Sequence, residues 1–368
     1  MWLFYVNIIW ILVSYLISAC IKKRNLRDKV FLVFSLGYLG FLTMFRLYTV
    51  GTDTKTYFTV YREIAKTNWT GFLTFMRYSG TEPGYLLFCK LLSYVSKDPQ
   101  ILLIFSGLIS YLTLGMFFYK HSDYKFVSVF LFFTLGGFDF YASGIRQTIA
   151  LSLLLIAYEL SESNKRILTI LFIILATSIH YSAILIIPLI FVVKIKDNSK
   201  FYLWLFVMAV GLTAGFNIVL SIILRIFPKY KYYYEGSLFS REPNLAVLLK
   251  MLVFLLLFLC AKFVVKDKNI KELAVYNKSY IFERFTAFIP IVYLISFNAR
   301  AIARIAVILW PFAFVYYGNS VRDMETKNKR IVVELTVALF FVYAYIVTTY
   351  KTPEWQSTYP YSFFWQDN

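Results

Sequence analysis

Predominantly apolar runs of 14 to 24 residues recur along this chain from one end to the other. A helix needs about 20 apolar residues, within a range of roughly 17–25, to cross the hydrocarbon core of a bilayer. No water is present there to satisfy backbone N–H and C=O groups, so only helices and closed barrels can span it. The runs lie at 2–21, 29–48, 100–119, 125–141, 144–160, 166–180, 181–194, 201–224, 245–265, 281–297, 301–318 and 331–350. The composition agrees, with 60% of residues hydrophobic against roughly 45–50% in soluble domains. The expected fold is all-α, a single polytopic transmembrane domain over residues 1–368 with about 12 spans. The stretch 84–96 is apolar but short and carries Lys90. It is expected to be a re-entrant or interfacial helix, because 10–14 apolar residues rarely span.

Charge then orients the chain. The net charge of +18 is not spread evenly. More than half of the 38 Lys and Arg residues lie in the alternate loops 22–29, 120–125, 161–166, 194–200, 262–278 and 319–330. Basic residues in short loops mark the cytoplasmic side, so these loops are expected inside and both termini outside. Counting 84–96 as a span would put the later basic loops outside. The outer face then carries large loops at 49–99 and 225–244 and a tail from 351. The first apolar run lacks a basic leader and runs into a basic stop, which does not suit a cleavable signal peptide.

Several function classes fall away. The clustering of Lys and Arg between apolar runs is an orientation signal and argues against nucleic acid as partner. Few acidic residues, two His and no DxD pair argue against a metal site, and no cofactor is expected. Cys20 and Cys260 fall inside spans and Cys89 stands apart, so no disulfide framework is expected.

The ionisable residues that are left gather at the outer mouths of the spans. Arg46 ends the second run, followed by Gly51 and Asp53. Gly51 allows a tight exit from the helix. Asp53 suits the cap of a following helix as well as it suits a proton acceptor. Glu82-Pro83-Gly84 opens the short apolar stretch, where a carboxylate favours the helix N-terminus. A re-entrant segment would instead turn that carboxylate toward a wet cavity. Arg146 starts a span, where insertion costs ~2.5–3.5 kcal/mol and the helix dipole opposes a positive charge. Both costs call for a compensating anion. His180 divides two apolar runs, and Arg300 and Arg304 are four apart, which places them on one face of an α-helix. Arg284 and Lys250 lie near span ends and are expected to snorkel. Tyr232, Tyr233, Arg241 and Trp355 fall in the outer loop and tail, as an interfacial belt or as surfaces for sugar rings. Several arginines on one face point to an anionic ligand. Arg grips phosphate in a bidentate way that Lys cannot, and a lipid-linked pyrophosphate fits.

Arg46…Gly51-Thr52-Asp53-Thr54…Tyr57, Glu82-x-Gly84-Tyr85, Ile145-Arg146-Gln147…Ala150, His180-Tyr181-Ser182-Ala183, Arg304-Ile305 and Tyr359-Pro360-Tyr361 occur in that order. This ordered set resembles the EpsG family, Wzy-like membrane polymerases of bacterial exopolysaccharide and O-antigen, over nearly the whole chain. The resemblance implies a glycosyltransferase-C-like fold in the bacterial inner membrane, acting on an undecaprenyl-pyrophosphate-linked oligosaccharide. A chain-length regulator protein is the implied partner besides the bilayer. On this reading Arg46, Arg146, Arg300 and Arg304 hold the pyrophosphate, and Asp53, Glu82 or His180 takes the acceptor proton. Tyr232, Tyr233, Arg241 and Trp355 hold sugars. A flippase of the same lipid or a lipid-to-core ligase would need a similar cationic site.

Overall fold

The computed structural model describes residues 2–193, 198–226, 245–266, 273–298, 300–322, 324, 326–350 and 356–366. Among them the structure is helical apart from turns and one antiparallel bridge between Arg46 and Phe363. Tyr232, Tyr233, Arg241 and Trp355 lie outside the described residues. Five described helices are long and apolar enough to cross a membrane, or up to seven if each of two bent pairs is one span. The runs at 166–180 and 181–194 fold as shorter helices, Arg166–Ile179 and Tyr181–Ile190. The run at 125–141 bends by 59° between Thr134 and Gly137, where Gly136 takes a left-handed φ of 88°.

The chain forms two compact units. The first comprises residues 1–184 and 326–368. Its helices are α1 (Trp2–Ala19), α2 (Arg24–Met44), α3 (Thr54–Lys66), α4 (Trp69–Tyr78), α5 (Pro83–Val95), α6 (Gln100–His121), α7 (Lys125–Thr134), α8 (Gly137–Ser143), α9 (Ile145–Glu162) and α10 (Arg166–Ile179), with the later helix Thr326–Tyr350 returning beside α7. Successive long helices pack side by side, α1 on α2, α2 on α6, α6 on α9 and α9 on α10. Because they alternate in direction, their ends sort into two sets. The starts of α2 and α7 and the ends of α6 and α9 meet at one end of the unit. There Asp28 lies 3.1 Å from Lys125 and 3.9 Å from Arg24, Arg24 reaches Asp123 at 3.4 Å, and Glu159 pairs with Lys120 and His121. The opposite ends of the same helices are about 30 Å away, the length of a helix of about 20 residues. Between the two ends, α2 from 30 to 44, α6 from 101 to 119 and α9 from 147 to 158 carry no Asp, Glu, His, Lys or Arg.

At that opposite end the backbone needs help, because the last carbonyls of α2 have no partner within the helix. Arg46 and Gln100 supply it. Arg46 donates through Nη1 to Thr43 O and through Nε to Val50 O at 3.2 Å, and Gln100 donates to Met44 O at 2.7 Å. The tail completes the knot. Leu47 N donates to Ser362 O at 2.8 Å, and Gly51 N and Thr52 N donate to Ser357 O and Gln356 O, both at 2.9 Å. α5, at 13 residues, is about 20 Å long, too short to cross the core. It packs on α3 and on α10.

The second unit spans residues 185–325. Its longest elements are α14 (Leu245–Lys266) and α15 (Leu273–Ser296), which pack together, with α16 (Trp310–Arg322) against both. Earlier in the unit come α11 (Ile186–Val192), α12 (Asn198–Ala214) and α13 (Phe216–Ile226), the last two bent by 76° at their junction. Arg284 does not snorkel as its position near a span end suggested. It is 2% exposed, donates to Val193 O at 2.7 Å and lies between the rings of Phe201 and Tyr280. Its guanidinium serves a carbonyl just past the end of α11, where a cation also complements the helix dipole. Arg300–Leu309 is a 3-10 helix rather than an α-helix. At 3.0 residues per turn, positions four apart diverge by about 120°, so Arg300 and Arg304 do not share a face.

Candidate functional site

Glu82, Arg146 and His180 stand far apart in sequence, and the fold of the first unit brings them together. Each reaches the site from the end of a helix. Glu82 is the N-cap of α5, with Pro83 fixing the first helical position, but its carboxylate makes no cap hydrogen bond. It turns inward instead and is 4% exposed. Arg146 is in the first turn of α9, after the break at Gly144. His180 ends α10 in an extended conformation.

The geometry is that of a carboxylate held from two sides. Arg146 Nη1 donates to Glu82 Oε2 at 2.5 Å, and His180 Nδ1 lies 3.3 Å from Glu82 Oε1. The compensating anion that Arg146 needs is therefore Glu82. The guanidinium carbon lies 5.6 Å from the ring centre of Tyr57 and 5.7 Å from that of Tyr85, within cation–π range. The two rings meet edge on at 5.7 Å. Burial alone would raise the Glu82 carboxyl, but the His180 ring beside it and the charge of Arg146 pull it down to about 2. Glu82 thus stays ionised. The side chains of Arg146 and His180 are 29% and 23% exposed against 5% for Glu82. The open side of the cluster offers a cationic fork and an imidazole, with the carboxylate behind them.

Two glycines make the approach possible. A Cβ on Gly84 would sit 2.8 Å from the backbone carbon of Ser178, so only glycine lets the start of α5 press against the end of α10. Gly51 has a φ of 93°, and a Cβ there would lie 2.5 Å from Ala142 O. Gly84→Ala is expected to displace Glu82 from His180 and to lower activity by about 10²-fold, the scale of a 1 Å misplacement. The change in thermal unfolding should be small by comparison. Paired measurements of product length and of the unfolding midpoint would check this, and equal activity in the variant would remove Gly84 from the account.

The other expected site residues are placed as follows. Asp53 is the half-buried N-cap residue of α3 and makes no side-chain cap bond. It stands one turn before Tyr57, whose N–H donates to its carbonyl at 3.1 Å. Arg46 is 1% exposed and spends its donors on Thr43, Val50 and Thr54, which makes it a brace of the α2 end. Arg304 is exposed, and Arg300 opens the 3-10 helix of the second unit. Tyr57 and Tyr85 were not singled out for a role from sequence. The signal available was their place within four residues of Asp53 and Glu82, which is one helical turn.

Residues 29–363 match the EpsG family. No curated protein and no solved structure matches the chain. The matched stretch runs from Lys29 within α2 to Phe363, which bridges to Arg46, and includes the whole Glu82–Arg146–His180 cluster, and the chain belongs to the EpsG family.

Proposed function

We propose that this chain is a polysaccharide repeat-unit polymerase of the bacterial inner membrane, which moves a growing glycan from undecaprenyl pyrophosphate to a lipid-linked acceptor repeat unit on the outer face. The observation that carries this reading is the Glu82–Arg146–His180 cluster, at one end of a unit whose other end gathers basic residues. Its support is membership of the EpsG family, whose members are Wzy-like polymerases. An arginine held by a carboxylate and set beside two tyrosines stabilises charge that develops on a departing phosphate without reorganising. Arg300 and Arg304 are further candidates for holding the pyrophosphate, Arg46 braces the α2 end, and Asp53, Glu82 and His180 are the candidates for taking the acceptor proton. Tyr232, Tyr233, Arg241 and Trp355 are the candidates for holding sugars, and a chain-length regulator is the candidate partner protein.

A flippase must open its site to both faces in turn. The long stretches of α2, α6 and α9 free of Asp, Glu, His, Lys and Arg favour chemistry at one face. Vesicles reconstituted with the protein and lipid-linked repeat units test the two. The polymerase lengthens the glycan. A flippase moves the lipid across the bilayer with no longer product, and that result would overturn this reading. A lipid-to-core ligase would lengthen nothing unless a core acceptor were added.

The arrangement in the membrane goes with this proposal. It has twelve spans in one glycosyltransferase-C-like domain, α5 on the outer side and both termini outside. Reporter fusions after Lys196 and Lys268 are expected to read cytoplasmic, and fusions after Tyr234 and Asn368 external. A cytoplasmic signal at Asn368 would contradict the span count.

A further inference from the structure

We infer that His180 is the base that takes the acceptor proton, through Nε2, and that Glu82 acts as a positioning residue which holds the ring and balances its charge. The inference rests on the polymerase reading and adds a division of labour that the reading leaves open. His180 Nδ1 faces Glu82 Oε1 at 3.3 Å. A carboxylate only accepts, so Nδ1 carries the hydrogen and the lone pair is on Nε2. The second carboxylate oxygen is taken by Arg146 Nη1. Glu82 is thereby the third group that orients the base, the general logic of an oriented nucleophile–base pair. It is a poor base itself, since it is buried and its acidity is increased by both neighbours. Asp53 is separated from Glu82 along the chain by the whole of α3 and α4 and caps neither with its side chain.

The charge count gives a reason for this arrangement. With a neutral ring, Arg146 and Glu82 cancel and the cluster is neutral. In the transfer step the acceptor oxygen attacks the anomeric carbon and a C–O bond forms. The bond from that carbon to the phosphate oxygen breaks, and its electron pair leaves with the lipid pyrophosphate. The acceptor proton goes to His180 Nε2. The cluster gains one positive charge as the leaving group gains one negative charge. The Nδ1–Glu82 contact, 3.3 Å and outside hydrogen-bond geometry at rest, closes to a charge-assisted hydrogen bond in the same step. The titratable or charged groups that face the ring are Glu82 from the start of α5, Arg146 from α9 and Tyr181 beside it, with Tyr57 and Tyr85 beyond Arg146.

Initial rates of chain growth across pH ~5 to ~8, the range in which an imidazole changes charge, test the assignment on the full chain in lipid vesicles. The wild type is expected to show a rate that rises from acid toward neutral pH. His180→Gln is expected to lose about 10²–10⁴-fold together with that rise, while still retaining lipid-linked donor in a pull-down. Free imidazole should restore part of the rate to His180→Ala and none to Glu82→Gln. Glu82→Gln should lower kcat with KM for the lipid-linked donor unchanged, because the ring is no longer held for the transfer step. A purely structural Glu82 would instead lower the amount of folded protein and leave kcat per folded molecule as it was. A wild-type rate flat across this range overturns the assignment without any variant, as does His180→Gln with the wild-type rate and profile. If the wild type lengthens no chains at any pH, the polymerase reading itself fails and this inference with it.

Discussion

Arg146→Lys is expected to lose about 10²-fold or more of chain growth at matched protein level, although the positive charge is kept. The size follows from what the guanidinium does in place. One nitrogen reaches Glu82 at 2.5 Å while the guanidinium carbon lies 5.6 and 5.7 Å from the ring centres of Tyr57 and Tyr85. A lysine ammonium is a compact point charge on a flexible stem and cannot hold a carboxylate in a planar fork while presenting further donors to phosphate. Losing one preorganised donor in a site of this kind costs about 10²–10³-fold. Arg146→Ala goes further, since it leaves the buried Glu82 carboxylate unpaired, and breaking a buried pair costs about 3–5 kcal/mol. Glycan ladders from cells carrying each variant, with protein measured in the same membranes, check both. A normal ladder from Arg146→Lys would reduce Arg146 to a structural partner of Glu82.

Ending the chain after Trp355 is expected to leave little folded protein in the membrane. The removed residues supply the carbonyls that accept from Leu47, Gly51 and Thr52, and the N–H of Phe364 that donates to Phe45. They also bury Tyr359 and Tyr361, whose hydroxyl in the latter case donates to Leu42 O at 2.7 Å. Burying a large side chain contributes about 1.5–3 kcal/mol, and a buried donor left unsatisfied costs about 1–3 kcal/mol. Several such losses together rival the roughly 5–15 kcal/mol of a typical folded domain. Tyr361→Phe, which removes one hydrogen bond, should cost only about 1 kcal/mol. Protein level and thermal unfolding in detergent separate the two. A truncated chain that accumulates normally would show that the tail is an ornament of the α2 end.

The helical class and the membrane setting were legible because lipid leaves a chain few options, and long apolar runs state them directly. The need of Arg146 for an anion was legible too, from its place at the start of a span. Its partner was not. Glu82 and Arg146 are 64 residues apart, and no local pattern links them until α5 is pressed onto α10 at Gly84. Arg46 looked like a ligand for phosphate because a sequence shows an arginine at the mouth of a span. It does not show the carbonyls of Thr43 and Val50 that take up its donors. Arg300 and Arg304 looked like one stripe because a spacing of four assumes 3.6 residues per turn, and the tighter winding of that segment spoils the stripe. The bends near Gly136 and Gly215 divide runs whose apolar composition is unbroken across them.

The direction of chain growth tests the central claim most directly. Purified protein in vesicles would receive a short pulse of labelled lipid-linked repeat unit and then an excess of unlabelled unit. If the growing glycan is passed from its pyrophosphate to each new acceptor, the label enters next to the lipid and moves away from it during the chase. That movement is expected in the wild type, and its loss is expected in Arg146→Lys. Label that stays at the end far from the lipid, or labelled lipid that crosses the bilayer without any longer glycan, would contradict the claim.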